Sequence, residues 1–190
     1  MRITGGRARS IVLKTPVGRH LRPATDKMRQ AVFSYLGKSI LGAYFLDVFA
    51  GTGAYGLEAL SRGAKGGIFV EQDRRTTTAL RANLSAVARS LNQTFSACGL
   101  VKADALRWMP QPSCCFDLVF ADPPYAVTAA RSEALFSLFH RCLSVQQSAR
   151  LIVEMPAALD LCPTPWKIER RLGSRGTFDP SVVIYRKMVP

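Results

Sequence analysis

The sequence predicts an α/β protein with a mostly parallel, doubly wound sheet, a closing antiparallel hairpin at the C-terminal end and a basic N-terminal extension. Three observations support this fold class. Short apolar runs alternate with amphipathic stretches from Ala43 onward, two strand-like runs follow one another at residues 166–187, and basic residues crowd the first 38 positions. Alternating strands and helices are typical of parallel sheets, because each parallel pair needs a crossover connection.

The N-terminal extension is predicted to form a small basic hairpin followed by a helix. Residues 10–14 are strand-like, and Pro23 with Thr25 as N-cap marks a helix start. Apolar residues then recur at helical spacing, at Met28, Ala31, Val32, Tyr35 and Leu36. We assign residues 1–42 to this extension, packed on the core, and residues 43–190 to the main domain.

Within the main domain, five apolar runs are predicted to be buried strands, at residues 44–49, 67–71, 100–102, 116–121 and 150–154. Helices are expected over residues 55–62, 74–91, 105–109 and 130–143. Residues 166–172 and 181–187 are expected to pair as the closing hairpin, because Gly173 and Gly176 lie in a connection without helical periodicity.

The charge is unevenly distributed along this strongly basic chain, whose net charge is +13. Residues 1–38 hold nine basic side chains and one acidic, residues 39–166 eleven and ten, and residues 167–190 six and two. A near-neutral body with basic ends indicates a catalytic core flanked by surfaces that hold a polyanion, with a basic solubility tail as the alternative. Because guanidinium pairs with phosphate in a forked geometry, we predict Arg7, Arg9 and Arg22 as substrate-binding residues.

Cysteine usage and hydropathy indicate the compartment. The five cysteines include no C-x-x-C pair, and His20 and His140 are far apart, so neither a metal site nor a disulfide framework is expected. The first residues lack the apolar stretch of a signal peptide, and no uncharged run is long enough to span a membrane. We expect a cytoplasmic monomer without metal or membrane contact. The adjacent Cys114 and Cys115 have no role that the sequence indicates.

The first chemical motif, Leu-Asp-Val-Phe-Ala-Gly-Thr-Gly-Ala-Tyr-Gly at residues 46–56, follows a predicted strand and opens a predicted helix. Its glycines give a tight turn whose bare backbone lets a ligand lie against it, a pattern that also fits a dinucleotide site or a turn without ligand. Asp47 favours another ligand, because a carboxylate would repel a pyrophosphate and attract an ammonium group. S-adenosylmethionine carries an ammonium and a sulfonium. We therefore predict that Asp47, Phe49, Gly51 and Gly53 bind S-adenosylmethionine.

Two further acids follow the next predicted strands. Glu71 ends an apolar strand, where an acid in doubly wound sheets accepts hydrogen bonds from ribose hydroxyls; Asp73 is a close competitor. Asp104 follows the third strand and could accept from the adenine amino group, with Ala105 beside the ring. Either acid could instead only cap the helix that follows it.

The sharpest motif is Asp122-Pro123-Pro124-Tyr125, which ends the fourth predicted strand. The two prolines stiffen the turn. An exocyclic base amine is a poor nucleophile because its lone pair is delocalised into the ring. The Asp122 carboxylate and the Pro123 carbonyl could hold both amine protons and aim the lone pair at a methyl group. Tyr125, with Pro124, would bind the base, and the alternative is an ordinary strand-ending turn.

Together these motifs resemble the Rossmann-like class I methyltransferases with an N-P-P-Y or D-P-P-Y motif. Four motifs occur in the order found in the RsmD-like 16S rRNA guanine-N2 methyltransferases. They are Met-Arg-Ile-Thr-Gly-Gly-Arg at the start, Arg-Pro-Ala-Thr-Asp at 22–26, the glycine motif and Asp-Pro-Pro-Tyr. The resemblance spans roughly residues 1–155, and the sequence departs from it near Leu172 and Gly173, where family members often carry Tyr-Gly.

The resemblance implies methylation of a guanine N2 amine in 16S rRNA, with the small ribosomal subunit or an assembly intermediate as substrate and the N-terminal extension in contact with it. The alternatives are an adenine-N6 methyltransferase acting on DNA or RNA, which could use the same residues, and a non-enzymatic RNA-binding assembly factor on the same scaffold. An NAD-dependent oxidoreductase explains neither Asp47 nor the Asp-Pro-Pro-Tyr motif.

Overall fold

The computed structural model describes residues 1–16, 26–94, 96–111, 115–173, 176 and 179–188. Its helices are α1 (Asp26–Leu36), α2 (Ala54–Ser61), α3 (Arg74–Leu91), α4 (Tyr125–Ala130) and α5 (Ser132–Cys142), with a short 3-10 helix at Gly37–Ile40. Its strands are β1 (Tyr44–Val48), β2 (Gly66–Glu71), β3 (Cys98–Lys102), β4 (Leu118–Ala121), β5 (Arg150–Pro156), β6 (Trp166–Gly173) and β7 (Pro180–Lys187). None of the described helices is long and apolar enough to span a bilayer.

The seven strands form one sheet in the order β3-β2-β1-β4-β5-β7-β6. Strands β1 to β5 pair in parallel, and β7 pairs antiparallel with both β5 and β6. The predicted doubly wound sheet with a C-terminal antiparallel hairpin is therefore confirmed. The hairpin joins the sheet through its second strand, so β6 forms the edge.

Helices cover both faces of the sheet, which explains why the central strands are continuous apolar runs. On one face, α1, α2 and α3 contribute to a core that contains the strand residues Phe45, Phe120 and Ile152. On the other face, α5 packs against a core that contains Val119 and Leu151. Neighbouring residues of one strand thus point into different cores, as the alternation of side chains along a strand requires.

The segment of residues 1–16 packs on the outside of α2 and α3, and Ile3 is fully buried. The expected strand at residues 10–14 is present only as a single antiparallel bridge between Arg2 and Val12. Three side chains of the main domain hold the segment: Glu58 accepts from Thr4 N at 2.7 Å, Ser61 from Ala8 N at 2.9 Å and Asn83 from Lys14 N at 2.7 Å. The segment is therefore part of the packed body, and the proposed division at residue 42 stays a prediction.

Asn83 reaches two parts of the chain at once. Its amide nitrogen donates to the carbonyl oxygens of Lys14 (3.1 Å) and Thr52 (3.0 Å), and the residue is 2% exposed. Thr52 lies in the turn between β1 and α2. One buried amide thus joins the N-terminal segment to the glycine turn.

A buried ion-pair network centres on Glu58 of α2. Glu58 and Arg29 of α1 are both fully buried, with Arg29 Nε 3.5 Å from Glu58 Oε2. Arg62 Nε lies 2.8 Å from Glu58 Oε1, and Arg29 also donates to Asp26 and to the carbonyl of Arg2. Paired buried charges of this kind are costly to disrupt, because removing one partner leaves the other uncompensated.

Three predicted elements differ from the structure. The expected helix at residues 105–109 is a single turn in which Arg107 N and Trp108 N donate to the Asp104 carbonyl, since so short a segment does not sustain a helix. The helix expected at 130–143 is present as α5 with slightly shorter bounds, and α4 precedes it as a helix that the sequence did not predict. Residues 116 and 117 precede β4, and Phe116 makes only a bridge to Leu143. The predicted helix start at Pro23 and Thr25 lies outside the described residues.

Candidate active site

The two sharpest motifs meet at the carboxyl edge of the sheet. Strand β1 pairs in parallel with β2 on one side and β4 on the other, and Val48 lies opposite Ala121. The glycine turn that follows β1 and Asp122, which follows β4, are therefore neighbours. We call the space between them the carboxyl-end cleft. Doubly wound sheets bind ligands at this position, where the strand order reverses.

The glycine turn is tight and exposes backbone to the cleft. Phe49, Gly51 and Gly53 have φ values of 56°, 56° and 84°, a region that non-glycine residues seldom adopt. A Cβ atom at Gly53 would lie 2.2 Å from Leu80 Cδ1, so close packing against α3 requires glycine there. At Gly51 the nearest atom to a Cβ would be 3.9 Å away. Gly51 thus leaves open space where a ligand can lie against the backbone.

Asp47 is 3% exposed. Its side chain caps the start of α2, because its Oδ2 accepts from Gly56 N at 2.9 Å. Burial raises the pKa of Asp47 well above its ordinary value; the Gly56 hydrogen bond opposes this, and the charges of Asp122 and Glu71 add to it. A positively charged ligand would offset that cost. The motif did not indicate that Asp47 would cap α2. The binding role of Asp47 stays a prediction.

Glu71 borders the same turn at the end of β2. Its Oε2 accepts from Gly51 N at 3.0 Å and its Oε1 from Asp73 N at 2.8 Å. Asp73 itself caps α3, since its Oδ1 accepts from Thr76 N at 2.8 Å. Glu71 is thus tied to the glycine turn, whereas Asp73 serves the helix. An ionised carboxylate has further lone pairs, so Glu71 could accept from a ribose hydroxyl while it keeps its hydrogen bonds to Gly51 N and Asp73 N.

The remaining predicted cofactor residues follow β1 and β3 at the carboxyl edge of the sheet. Asp104 Oδ1 accepts from Leu106 N at 3.0 Å, so it caps the turn that replaces the expected helix. Ala105 is buried and Phe49 half-buried. Asp104 therefore caps a turn and not the expected helix, and its contact with an adenine ring stays a prediction.

The Asp-Pro-Pro-Tyr turn leaves two acceptors free. The Pro124 carbonyl accepts from Val127 N at 2.8 Å and starts α4, whose first residue is the half-buried Tyr125. Within the described part of the chain, neither the Asp122 carboxylate nor the Pro123 carbonyl accepts a hydrogen bond. Burial raises the pKa of the half-buried Asp122 from 3.8 to about 7. No donor among the described residues therefore satisfies these two oxygens.

The predicted phosphate-binding arginines do not all lie near the cleft. Arg7 N donates to Ser61 O at 2.8 Å and its Nη2 to Leu91 O at 3.3 Å. Ser61 and Leu91 end α2 and α3, at the sheet edge opposite the cleft. Arg9 is exposed, and Arg22 lies outside the described residues. Contact of these arginines with a nucleic acid stays a prediction.

The charge of the cleft discriminates between ligands. Asp47, Glu71 and Asp122 all border it, and none of them pairs with a lysine or arginine among the residues that the structure describes. A pyrophosphate would meet uncompensated carboxylates there. A ligand with an ammonium and a sulfonium would supply the missing positive charge, so these residues fit S-adenosylmethionine.

A family model described as Conserved hypothetical protein 95 matches residues 1–174. The chain belongs to this family. A curated relative, the ribosomal RNA small subunit methyltransferase D of Escherichia coli, is 38% identical over 125 residues, which cover 66% of this chain and 60% of that protein. A proposed rRNA methyltransferase of Bacillus subtilis is 30% identical over 167 residues, covering 86% of this chain and 87% of the relative.

Solved structures of similar proteins share the fold of this Conserved hypothetical protein 95 member. A proposed methyltransferase of Escherichia coli superposes with a TM-score of 0.82 at 31% identity, covering 98% of this chain and 97% of the other. The fold is therefore the Rossmann-like sheet of class I methyltransferases, and the resemblance to the 16S rRNA methyltransferase family is confirmed. The match to the first Escherichia coli relative spans less than two thirds of that protein.

Two further buried polar residues of this Conserved hypothetical protein 95 member were not predicted from the sequence as site residues. Glu154 on β5 is 3% exposed, and its Oε2 has no hydrogen-bond partner among the described residues. Tyr55 of α2 stacks on Phe120 with ring centroids 5.4 Å apart, and its hydroxyl is likewise unpartnered. Glu154 ends the apolar run Leu-Ile-Val as Glu71 ends Ile-Phe-Val, which is the signal that could have identified it.

Proposed function

We propose that the protein is an S-adenosylmethionine-dependent methyltransferase that modifies the exocyclic N2 amino group of a guanine in 16S rRNA. The observation that carries this proposal is the pair of unsatisfied acceptors, the Asp122 carboxylate and the Pro123 carbonyl, beside the glycine turn. The family and the names of its curated relatives support methylation of rRNA. Guanine-N2 as the target rests on the sequence resemblance.

Four residues would hold the cofactor. The Asp47 carboxylate faces its ammonium group, Gly51 and Gly53 give backbone against which the methionine part lies, and Glu71 accepts from the ribose. When bound, S-adenosylmethionine supplies an electrophilic methyl group on a positively charged sulfur. No metal is needed for such a transfer.

The chain's own contribution to the reaction is mainly positioning. Asp122 and the Pro123 carbonyl each accept one hydrogen of the amine, which directs the nitrogen lone pair toward the methyl carbon. Alignment of this kind supplies several kcal/mol of the barrier. The Asp122 carboxylate also stabilises the positive charge that develops on the nitrogen. Tyr125, at the start of α4, offers its ring to the base; such stacking contributes roughly 1–3 kcal/mol.

The substrate must present an unpaired or flipped-out base, because a stacked base cannot reach the cleft. We propose the small ribosomal subunit or its assembly intermediate as the partner, in the cytoplasm, with the protein acting as a monomer. Arg7, Arg9 and Arg22 would contact phosphates away from the target base, which a large RNA can do. Binding should then weaken steeply as salt concentration rises.

The reaction product tests the proposed function directly. Small subunits and free 16S rRNA from cells that lack the gene are incubated with the protein and methyl-labelled S-adenosylmethionine, digested to nucleosides and analysed by mass spectrometry. We expect labelled N2-methylguanosine. N6-methyladenosine would show that the amine chemistry is right and the base wrong, and no labelled nucleoside from either substrate would contradict the proposal.

We predict that Asp47→Asn weakens S-adenosylmethionine binding by roughly 10- to 100-fold, since a hydrogen bond to a charged partner contributes about 1.5–3 kcal/mol. The asparagine oxygen can still accept from Gly56 N, so the turn should remain folded. Isothermal titration calorimetry measures the affinity. Asp117→Asn is the matched control, because Asp117 lies before β4 and its carboxylate accepts from Tyr44 N. Equal affinities for the wild type and Asp47→Asn would contradict the assignment.

A further inference from the structure

Glu154 lies beside Asp122 on the same face of the sheet. Strands β4 and β5 are parallel, with Ala121 opposite Val153, so Asp122, which directly follows β4, and Glu154 of β5 are neighbours. Two positions earlier, Phe120 and Ile152 both contribute to the core beneath α1 and α2. Since side chains alternate along a strand, Asp122 and Glu154 point to that same side.

The fold does not use the Glu154 carboxyl. It is 3% exposed, its Oε2 has no hydrogen-bond partner, and no lysine or arginine in the described ranges pairs with it. Burying such a group without a partner costs stability, and a leucine there would extend the apolar strand instead. An unsatisfied buried acid beside a candidate catalytic group is typical of functional sites.

The surroundings of Glu154 favour its protonated form. Asp122 after β4 and Tyr55 on α2 lie beside it, and the charges of Arg29 and Asp47 also act on Tyr55. Tyr125 starts α4, which packs on β5. Strand β7 places the apolar Val182 opposite Glu154. Burial, followed by the charge of Asp122, raises the pKa of Glu154 from 4.5 to about 8, and burial raises the pKa of Asp122 as well. The charge of Glu154 also contributes to the raised pKa of Tyr55, which places the two groups close together.

We propose that Glu154 is the final acceptor of the proton that the substrate amine loses, and that it receives this proton through Asp122. As the nitrogen bonds to the methyl carbon, the carbon–sulfur bond breaks and its electron pair stays on sulfur. The amine N–H bond then breaks, its electron pair stays on nitrogen, and the proton passes to Asp122 and on to Glu154. Glu154 gives it to water before the next turnover. Glu154 touches neither substrate nor cofactor and is thus a positioning residue. The inference rests on the proposed function.

The direction of the pH dependence follows from the two acids. Asp122 must be ionised to accept from the amine, and Glu154 must be ionised to receive the proton. Both requirements are lost as the pH falls through the respective pKa values. In the wild type, kcat should therefore rise with pH up to about 8, or somewhat lower when the positive charge of the cofactor favours the ionised forms.

The test compares the wild type with Glu154→Gln and Glu154→Asp. Glutamine has the shape of glutamate but does not ionise, so we expect kcat to fall by roughly 100-fold, as is usual when proton transfer is lost. The remaining activity should reach its plateau at lower pH, because Asp122 alone then limits it. Glu154→Asp should restore part of the rate and the dependence of kcat on the higher of the two pKa values. The affinity for S-adenosylmethionine should stay within threefold in both variants. Glu133→Gln, on the exposed surface of α5, is the matched control and should behave as the wild type.

A second readout does not depend on turnover. In protein labelled with ¹³C at glutamate carboxyl carbons, one signal should titrate near pH 8 and be absent from Glu154→Gln. A Glu154 signal that titrates near pH 4.5, or a Glu154→Gln variant with wild-type kcat and an unchanged pH profile, would overturn the inference while leaving the proposed function intact. A wild-type protein that methylates no rRNA would overturn both.

Discussion

Replacing Asp122 with alanine is expected to reduce methyl transfer by roughly 100- to 1000-fold, the loss usually seen when one preorganised electrostatic contact to the transition state is removed. The variant loses one of two acceptors that hold the amine and the charge that stabilises it. S-adenosylmethionine should still bind, because Asp47, Gly51 and Glu71 are untouched. Transfer of labelled methyl to small subunits under single-turnover conditions measures the chemical step, and calorimetry measures binding.

The structure offers a close control for this variant. Asp117 directly precedes β4 and Asp122 directly follows it, so the two acids lie at opposite ends of one strand. Asp117→Ala removes a carboxylate that accepts from Tyr44 N and should leave the single-turnover rate unchanged. If Asp122→Ala transferred methyl groups as fast as Asp117→Ala, Asp122 would not be a catalytic residue.

The second large effect is expected on stability. Glu58→Ala should lower the free energy of unfolding by about 3–5 kcal/mol, because it leaves the fully buried Arg29 with only the half-exposed Asp26 as an anionic partner. The substitution also removes the acceptors of Thr4 N and Thr4 Oγ1, which hold the N-terminal segment on α2. Urea unfolding followed by circular dichroism gives the free energies.

Glu133→Ala removes a carboxylate from the exposed surface of α5 and serves as the reference for Glu58→Ala. It should change the free energy of unfolding by less than about 0.5 kcal/mol. A Glu58→Ala loss of similar size would mean that the buried network contributes nothing to the fold.

The parts of this fold that depend on local pattern were predictable. Each central strand is an apolar run between turn residues, and α3 carries a regular apolar face from Arg74 to Leu91, so both were assigned correctly. Elements whose position depends on distant partners in the chain could not be predicted from local pattern. The position of β7 between β5 and β6 is set by pairing across the sheet. The helix α4 begins immediately after two prolines, where the motif suggested only a turn.

The candidate site shows the same division. Asp47, the glycine turn and Asp122 were proposed as site residues because each belongs to a compact motif, and the sheet brings them together. Glu154 carries no motif; only its burial and its place beside Asp122 in the sheet single it out. Arg29 and Glu58 are 29 positions apart and look like ordinary surface charges of two helices in the sequence. Contacts made across the fold leave no local signature.

The bridging amide of Asn83 limits how this architecture can be altered. Because one side chain bonds both Lys14 and Thr52, the N-terminal segment is not a module that can be exchanged for another without rebuilding the turn that follows β1. Grafting a different recognition segment onto this scaffold would require new partners for the Asn83 amide groups that now bond the Lys14 backbone. Engineering of specificity therefore has to retain residues 1–16 and vary the chain elsewhere.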